Sequence, residues 1–316
     1  MTKKRSTTKE TKSTNLINGG IATSALVVFV VFFGLWYFSN RSSNDNTQNV
    51  QFPHMHGMGF SSDGGQLFVT AHDGFRVYEN GHWLVPNLPI NDYMGYSPTN
   101  SGFYSSGHPG SASNQINPLG LVKSTDGGQT ITALGFVGES DFHLMGVGYE
   151  THAIFVLNPE ANAILNVGLS YSIDDGKTWH PRQAGGVTSN IIQIAVHPTQ
   201  ENIVALATEG GLFLSTDYGQ KFSHISNTIP VTSASFAATG DRLLFAYQNL
   251  YANDLTTGKI DTLQSPTITG SDAISYITVN PVSGAIAIAT LNKDIYMSND
   301  QTQTWKQIAQ RGIGKS

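Results

Sequence analysis

One eight-residue motif recurs along this chain and limits what the chain can fold into. It reads Ser124-Thr-Asp-Gly-Gly-Gln-Thr-Ile131, Ser172-Ile-Asp-Asp-Gly-Lys-Thr-Trp179, Ser215-Thr-Asp-Tyr-Gly-Gln-Lys-Phe222 and Ser298-Asn-Asp-Gln-Thr-Gln-Thr-Trp305. The pattern S-x-D-x-G-x-T-W suits a hairpin turn. Its carboxylate can accept N–H groups inside the turn, its glycine supplies positive φ, and its aromatic residue can pack on the sheet. Asp126, Asp174, Asp217 and Asp300 are 48, 43 and 83 residues apart, so the last interval holds two units. Degenerate copies fit the gaps, at Asp254-Leu-Thr-Thr-Gly258 and, one unit before Asp126, at Glu79-Asn-Gly-His-Trp83. Six units of about 43 residues each match a four-stranded propeller blade. Between the turns, short runs of Val, Ile, Phe and Tyr alternate with Gly, Asn, Asp and Pro, and no helical periodicity appears. The expected fold is therefore an all-β, six-bladed β-propeller over residues 51–312. Its first strands fall at Met55–Phe60, Tyr93–Tyr96, Leu144–Tyr149, Ile192–Val196, Ser233–Phe236 and Ile274–Val279. The second unit carries a Gly/Ser/Pro/Asn-rich insertion at about 97–118.

The N-terminus reads differently. Residues 21–38, IATSALVVFVVFFGLWYF, contain no charge. At about 1.5 Å per residue a helix of that length reaches about 27 Å, enough for a bilayer core. Trp36 and Tyr37 fall at its outer border, and Lys3, Lys4, Arg5, Lys9 and Lys12 precede it. Positive residues stay on the cytoplasmic side. The expected layout is a basic cytoplasmic tail (1–20), one transmembrane helix acting as an uncleaved anchor (21–38), a polar linker (39–50) and an extracytoplasmic propeller. The bulky Trp36-Tyr37-Phe38 argues against a signal-peptidase site there. Charge divides the same way: residues 1–41 carry +5 and the remainder −10. An acidic domain is a poor partner for nucleic acid. With no cysteine, disulfides, thiolate metal sites and cysteine nucleophiles are excluded.

The repeats look like the Asp-box, or BNR repeat, of sialidases, sortilin-like receptors and related propellers. In that family the four strands of a blade run outward from the axis. The Asp-box turns lie on one face, and the second-to-third-strand turns and inter-blade connections lie on the other. Sorted this way, His54, His56, His72, His108 and His143, with Asp73, Asp92 and Asp141, fall at one mouth of the channel, on blades 1–3. The set H-x-H-G (from His54), T-x-H-D-G (from Thr70), D-x-M-G (from Asp92), G-H-P (Gly107–Pro109) and D-F-H (Asp141–His143) is similar to bacterial exported BNR propellers. These are commonly labelled glycosyl hydrolase or sortilin-like. What the resemblance implies is a fold and a shared site more than a reaction.

Three chemistries suit that mouth. Neutral imidazoles and carboxylates bind divalent transition metals such as Zn²⁺ or Cu²⁺. His54, His56 and His72 would be the first ligands, with His108 and His143 as further ones and the aspartates as ligands or ring-orienting partners. Met55, Met58, Met94 and Met145 flank the histidines and would favour copper if they faced the channel. Glycoside hydrolysis needs two carboxyl groups flanking the scissile bond; Asp73, Asp92 and Asp141 are the catalytic candidates, with Glu209 behind them. Phe103 and Tyr104 could stack on a neutral glycan. A sialidase is disfavoured, because the outer domain has only Arg76, Arg182, Arg242 and Arg311 where that chemistry resembles an arginine triad. The third is a binding, receptor or assembly module for a glycan, peptide or protein, which needs no catalytic residue. The favoured expectation is a binding role built on a metal-dependent site, with no nucleotide or organic cofactor. Asp126, Asp174, Asp217 and Asp300 are expected to be structural.

Overall fold

The computed structural model describes residues 50–226 and 230–315. The basic tail, the expected anchor and nearly all of the linker lie outside the described residues. Six antiparallel sheets make up the rest. Blade 1 holds β1 (Met55–Phe60), β2 (Gln66–Ala71), β3 (Gly74–Glu79) and β4 (His82–Leu84), and blade 2 holds β5 (Asn91–Thr99), β6 (Gly102–Pro109), β7 (Leu121–Ser124) and β8 (Thr132–Gly135). Blade 3 runs from β9 (Met145–Val147) through β10 (Ile154–Asn158) and β11 (Gly168–Ser172) to β12 (His180–Arg182). Blade 4 runs from β13 (Ile191–Val196) through β14 (Val204–Thr208) and β15 (Gly211–Ser215) to β16 (Ser223–Ser226). Blade 5 runs from β17 (Ser233–Phe236) through β18 (Arg242–Ala246) and β19 (Leu250–Asp254) to β20 (Ile260–Leu263). Blade 6 holds β21 (Ile274–Val279), β22 (Ile286–Thr290), β23 (Ile295–Ser298), β24 (Lys306–Gln310) and the short β25 (Ile313–Gly314).

The first strands form a ring. β1 lies against β5 and β21, β9 against β5 and β13, and β17 against β13 and β21. Apolar side chains fill each seam between neighbouring blades, giving six separate cores rather than one. The seam between blades 1 and 2 is small and aromatic, built on Phe75, Tyr93 and Phe103. Closure joins the two ends of the propeller: the Phe52 N–H donates to Gly312 O at 2.8 Å and the Gly314 N–H to Val50 O at 2.8 Å. Phe52 is buried and meets Trp83 edge to face at 4.7 Å, while Trp83 Nε1 donates to Ile308 O at 2.6 Å.

Each Ser-x-Asp motif is a third-to-fourth-strand turn with one recurring bond pattern. In blade 3, Ser172 Oγ donates to Asp174 Oδ1 at 2.8 Å and accepts from Gly176 N at 2.9 Å. Asp174 accepts from the Thr178 N–H at 2.9 Å and the Thr178 hydroxyl at 2.7 Å. The motif's middle two residues are left-handed: Asp175 and Gly176 here, Gln301 and Thr302 in the last copy. Residues 79–83 and 254–258 occupy the same turn in blades 1 and 5, as the spacing requires. About half of the insertion expected at 97–118 is sheet, in β5 and β6, with a turn at residues 100–101 and a loop over 110–120. Small polar residues serve as strand there because their hydroxyls find carbonyls: Ser105 Oγ donates to Met94 O at 2.6 Å and Ser106 Oγ to Gly120 O at 2.8 Å. Phe103 and Tyr104 are buried, which corrects their expected role as sugar-stacking surface.

Two stability outcomes follow. Phe52→Ala removes a fully buried ring at the closure seam and should cost about 3–5 kcal/mol, whereas exposed Val282→Ala should stay within about 0.5 kcal/mol of wild type; urea unfolding measures both. The Thr178 N–H and hydroxyl hold the Asp174 carboxyl down to about 2. A depressed carboxyl stabilises the fold above its unfolded value near 4 and loses that contribution as pH falls toward 2. The melting-temperature gap between wild type and Asp174→Ala should therefore be full at pH 5–7 and shrink below pH 4; a gap independent of pH would show that the carboxylate charge contributes nothing.

Candidate functional site

The site begins where the ring closes. β1 starts three residues after Phe52, and its pairing with β2 slips at once: Met55 faces Ala71 and Gly57 faces Thr70, leaving His56 as the extra residue of a bulge. A bulge breaks the two-residue alternation and re-aims its side chain. Simple strand period, which would point His54 and His56 the same way, therefore does not hold here. β13 and β21 carry the same slip, with Ile192 and Ser275 at the equivalent place. The bulge is thus a feature of the scaffold, and blade 1 uses it to present an imidazole.

His72, in the β2–β3 turn, completes the first group with Asp92 of β5. His72 Nδ1 donates to Asp92 Oδ2 at 2.6 Å and lies 3.1 Å from His56 Nε2. His56 Nε2 is 3.3 Å from Asp92 Oδ1, at contact distance but outside hydrogen-bonding alignment, so that buried oxygen has no hydrogen-bond partner. The side chains of His56 and Asp92 are only 11% and 14% exposed. One ligand atom from each of His56, His72 and Asp92 can be chosen so that all three lie within 4.8 Å of one another. His54 does not join this set; its ring stacks over His72 at 5.2 Å and sits 4.8 Å from His56.

A second group forms on blades 2 and 3. Asp141 Oδ2 lies 3.0 Å from His108 Nε2 and 3.4 Å from His143 Nδ1. The two groups adjoin, because Asp92 and His108 are direct cross-strand partners in the β5–β6 pair. Gly107 makes that pairing possible: its φ is +122°, and a Cβ there would stand 2.0 Å from Asp92 O. A cavity of about 220 Å³ is lined by His56 and His143 together with Met58, Met94 and Met145. A further cavity of about 160 Å³ continues along the inner strands, past Ser97, Gln193, Ser235 and Thr278.

Two expected carboxylates are placed elsewhere. Both oxygens of Asp73 accept from Arg76 Nη2, at 2.8 and 2.7 Å, and buried Arg76 also bonds Gln51 O at 2.8 Å. Asp73 therefore braces the β2–β3 turn against the closure segment. Glu209 is exposed on blade 4 and accepts from Asn190 Nδ2 at 2.9 Å, joining neither group. Two participants carried no signal in the sequence. Arg76 is one, and Asn117 is the other; Asn117 Oδ1 lies 2.7 Å from His108 Nδ1. His197 shows what a structural histidine looks like in this fold. It is buried, its Nε2 donates to Gly240 O at 2.9 Å, and its Nδ1 accepts from the Thr199 and Gln200 amides. The mouth histidines have no such complete set.

Similar folds occur among solved structures. A GH74 enzyme of Niastella koreensis aligns with a TM-score of 0.57 at 18% identity over 82% of this chain and 46% of its own. A GH74 xyloglucanase from Xanthomonas campestris aligns at 0.53 and 13% over 82% of this chain and 46% of its own. The extracellular domain of a putative hybrid two-component system from B. thetaiotaomicron aligns at 0.51 and 14% over 83% and 34%. These likenesses show a shared propeller fold, and the chain spans less than half the length of each. No protein-family model and no curated protein matches the chain in sequence.

Burial is the main force on His56, lowering its pKa to about 4; Asp92 opposes the shift, and His72, His54 and His143 add to it. In the metal-free protein its imidazole should stay neutral on acidification until about pH 4, read from its ring ¹⁵N shifts. The unfolded chain takes up this proton near pH 6.5, so the fold loses stability as pH falls from about 6.5 to 4. A midpoint for His56 at or above 6 would mean that Asp92 outweighs burial.

Proposed function

We propose that this chain is a membrane-anchored, extracytoplasmic propeller whose channel mouth binds a divalent transition metal through His56, His72 and Asp92. The observation that carries the reading is the convergence of those three donors around a buried Asp92 oxygen that no hydrogen bond satisfies. An enclosed carboxylate oxygen without a donor is costly, and a cation replaces the missing donor. Two imidazoles and one carboxylate suit Zn²⁺ or Cu²⁺. Three protein ligands leave a coordination position open toward the cavity, where a ligand group from a peptide, glycan or protein partner can complete the shell. Met58, Met94 and Met145 on the cavity wall make copper the first metal to test. The anchor at 21–38 would hold this mouth outside the cytoplasmic membrane, as in the exported Asp-box propellers that the motifs resemble.

A neutral-glycan hydrolase is the second reading, favoured by the two largely buried carboxylates Asp92 and Asp141 at one mouth and by fold neighbours that include a xyloglucanase. It is the weaker one. Asp73 is neutralised by Arg76, and Asp92 and Asp141 each stand against two imidazoles rather than flanking an open cleft.

Elemental analysis of the purified, untagged protein after loading with Cu²⁺ or Zn²⁺ tests the reading. Wild type should retain metal near stoichiometrically, and His56→Ala/His72→Ala should lose the tightest equivalent while keeping its circular-dichroism spectrum. Absence of retained metal in wild type would remove the metal reading. Turnover of xyloglucan that Asp92→Asn abolishes would replace it with the hydrolase.

A further inference from the structure

We propose that His108, Asp141 and His143 form a second transition-metal site beside the first, making the mouth a two-metal centre. Asp141 is the starting point. Its side chain is 13% exposed, and both of its carboxylate oxygens are enclosed without a hydrogen-bond partner. Yet Oδ2 has one imidazole nitrogen at 3.0 Å and another at 3.4 Å. These nitrogens are near enough to share a cation with the carboxylate, but they are not aligned to donate a proton to it.

His108 adds an independent observation. Its Nδ1 lies 2.7 Å from Asn117 Oδ1, and a carbonyl oxygen can only accept, so the ring proton sits on Nδ1. In the neutral ring the lone pair then lies on Nε2, the atom that faces Asp141. A cation between Nε2 and Oδ2, 3.0 Å apart, would draw on both atoms without the alignment that a hydrogen bond requires. A ring N–H held by a carbonyl, with the other nitrogen left free, is the arrangement that orients metal-ligating histidines. His197, by contrast, has both of its nitrogens paired within the protein.

The second set is less gathered than the first. Among the described residues only His56, His72 and Asp92 bring one donor atom each within 4.8 Å of the other two. His143, 60% exposed in the segment before β9, has room to swing its ring in as the third ligand. The second metal should therefore bind more weakly than the first. The shared cavity wall of His56 and His143, and the cross-strand pairing of Asp92 with His108, place the two sites side by side.

Titration of the full-length, detergent-purified chain with Cu²⁺ tests this, read by bound-metal stoichiometry and by electron paramagnetic resonance. Wild type should take up two equivalents, the second with lower affinity, and show spin–spin broadening as the second site fills. His108→Ala/His143→Ala should take up one equivalent with an unbroadened spectrum. Asn117→Ala, which removes no ligand, should weaken only the second equivalent, by about 10–100-fold. Saturation of wild type at one equivalent that His108→Ala/His143→Ala retains would overturn the second site and leave the first standing. A single equivalent that survives in His56→Ala/His72→Ala but vanishes in His108→Ala/His143→Ala would keep this site, overturn the first and overturn the two-metal centre. Two equivalents in every variant, or an unchanged second affinity in Asn117→Ala, would overturn the proposal.

Discussion

The hydrogen bonds between residues 50–52 and 312–314 are the constraint on which the rest depends. A ring of sheets leaves no free inner edge only if its ends meet, and here a short N-terminal segment completes the last blade. The same segment aims the site. His54 follows it by two residues, Arg76 grips Gln51 O, and Lys293 Nζ holds Pro53 O at 3.1 Å. The chain therefore enters β1 along a fixed path. The Met55–Gly57 bulge then turns the His56 ring toward Asp92 on the neighbouring blade. Fold closure and site geometry are one set of contacts, so damage at the seam should reach the histidines before it reaches the distant blades.

Asymmetry is the second consequence. All six blades share one architecture, and three inner strands share the same register slip, but the slipped residue is His56 in blade 1, Ile192 in blade 4 and Ser275 in blade 6. Among the described residues, only the sector of blades 1–3 combines imidazoles with enclosed carboxylates. Other buried ionisable groups are satisfied locally: Arg76 by Asp73, and Asp272 by the Ala273 and Asn292 amides. The unsatisfied oxygens of Asp92 and Asp141 stand out against that background. An unpaired buried carboxylate is what a scaffold tolerates when something else is meant to pair it.

Much of the fold was legible in the sequence. The Ser-x-Asp spacing set the blade count, and it located degenerate turns at 79–83 and 254–258 whose residues alone would not have revealed them. The face assignment came from the resemblance to Asp-box propellers, and the structure brings His56, His72 and Asp92 together, with His108 paired across the strand from Asp92. What was not legible depends on register and on contacts distant in sequence. A one-residue slip at His56 leaves no compositional trace. The capture of Asp73 by Arg76 competes with a site role that looked equally good on paper. Ser105 and Ser106 read as loop because their burial is stabilised by carbonyls of Met94 and Gly120, which sequence does not display. The division of five histidines into two groups, with His54 stacked outside both, depends on ring positions that no spacing encodes.

The neighbours among solved structures sharpen the contrast between scaffold and site. What they share with this chain is the propeller, and in this chain it is carried by turns and seams whose chemistry is structural. Asp174 shows this: one of its oxygens accepts from the Thr178 amide and the other from the Thr178 hydroxyl, so both are engaged within the turn. A functional carboxylate must keep an oxygen uncommitted. By that test Asp126, Asp174 and Asp300 are excluded, and Asp73 is excluded with them. Asp92 and Asp141 remain, each set between two imidazoles. Neither imidazole beside Asp141, nor His56 beside Asp92, is aligned to donate a proton, and each gains a coordination bond if a metal enters. The propeller thus supplies rigid inner strands, and the mouth of blades 1–3 supplies the only enclosed oxygens, among the described carboxylates, that still lack a partner.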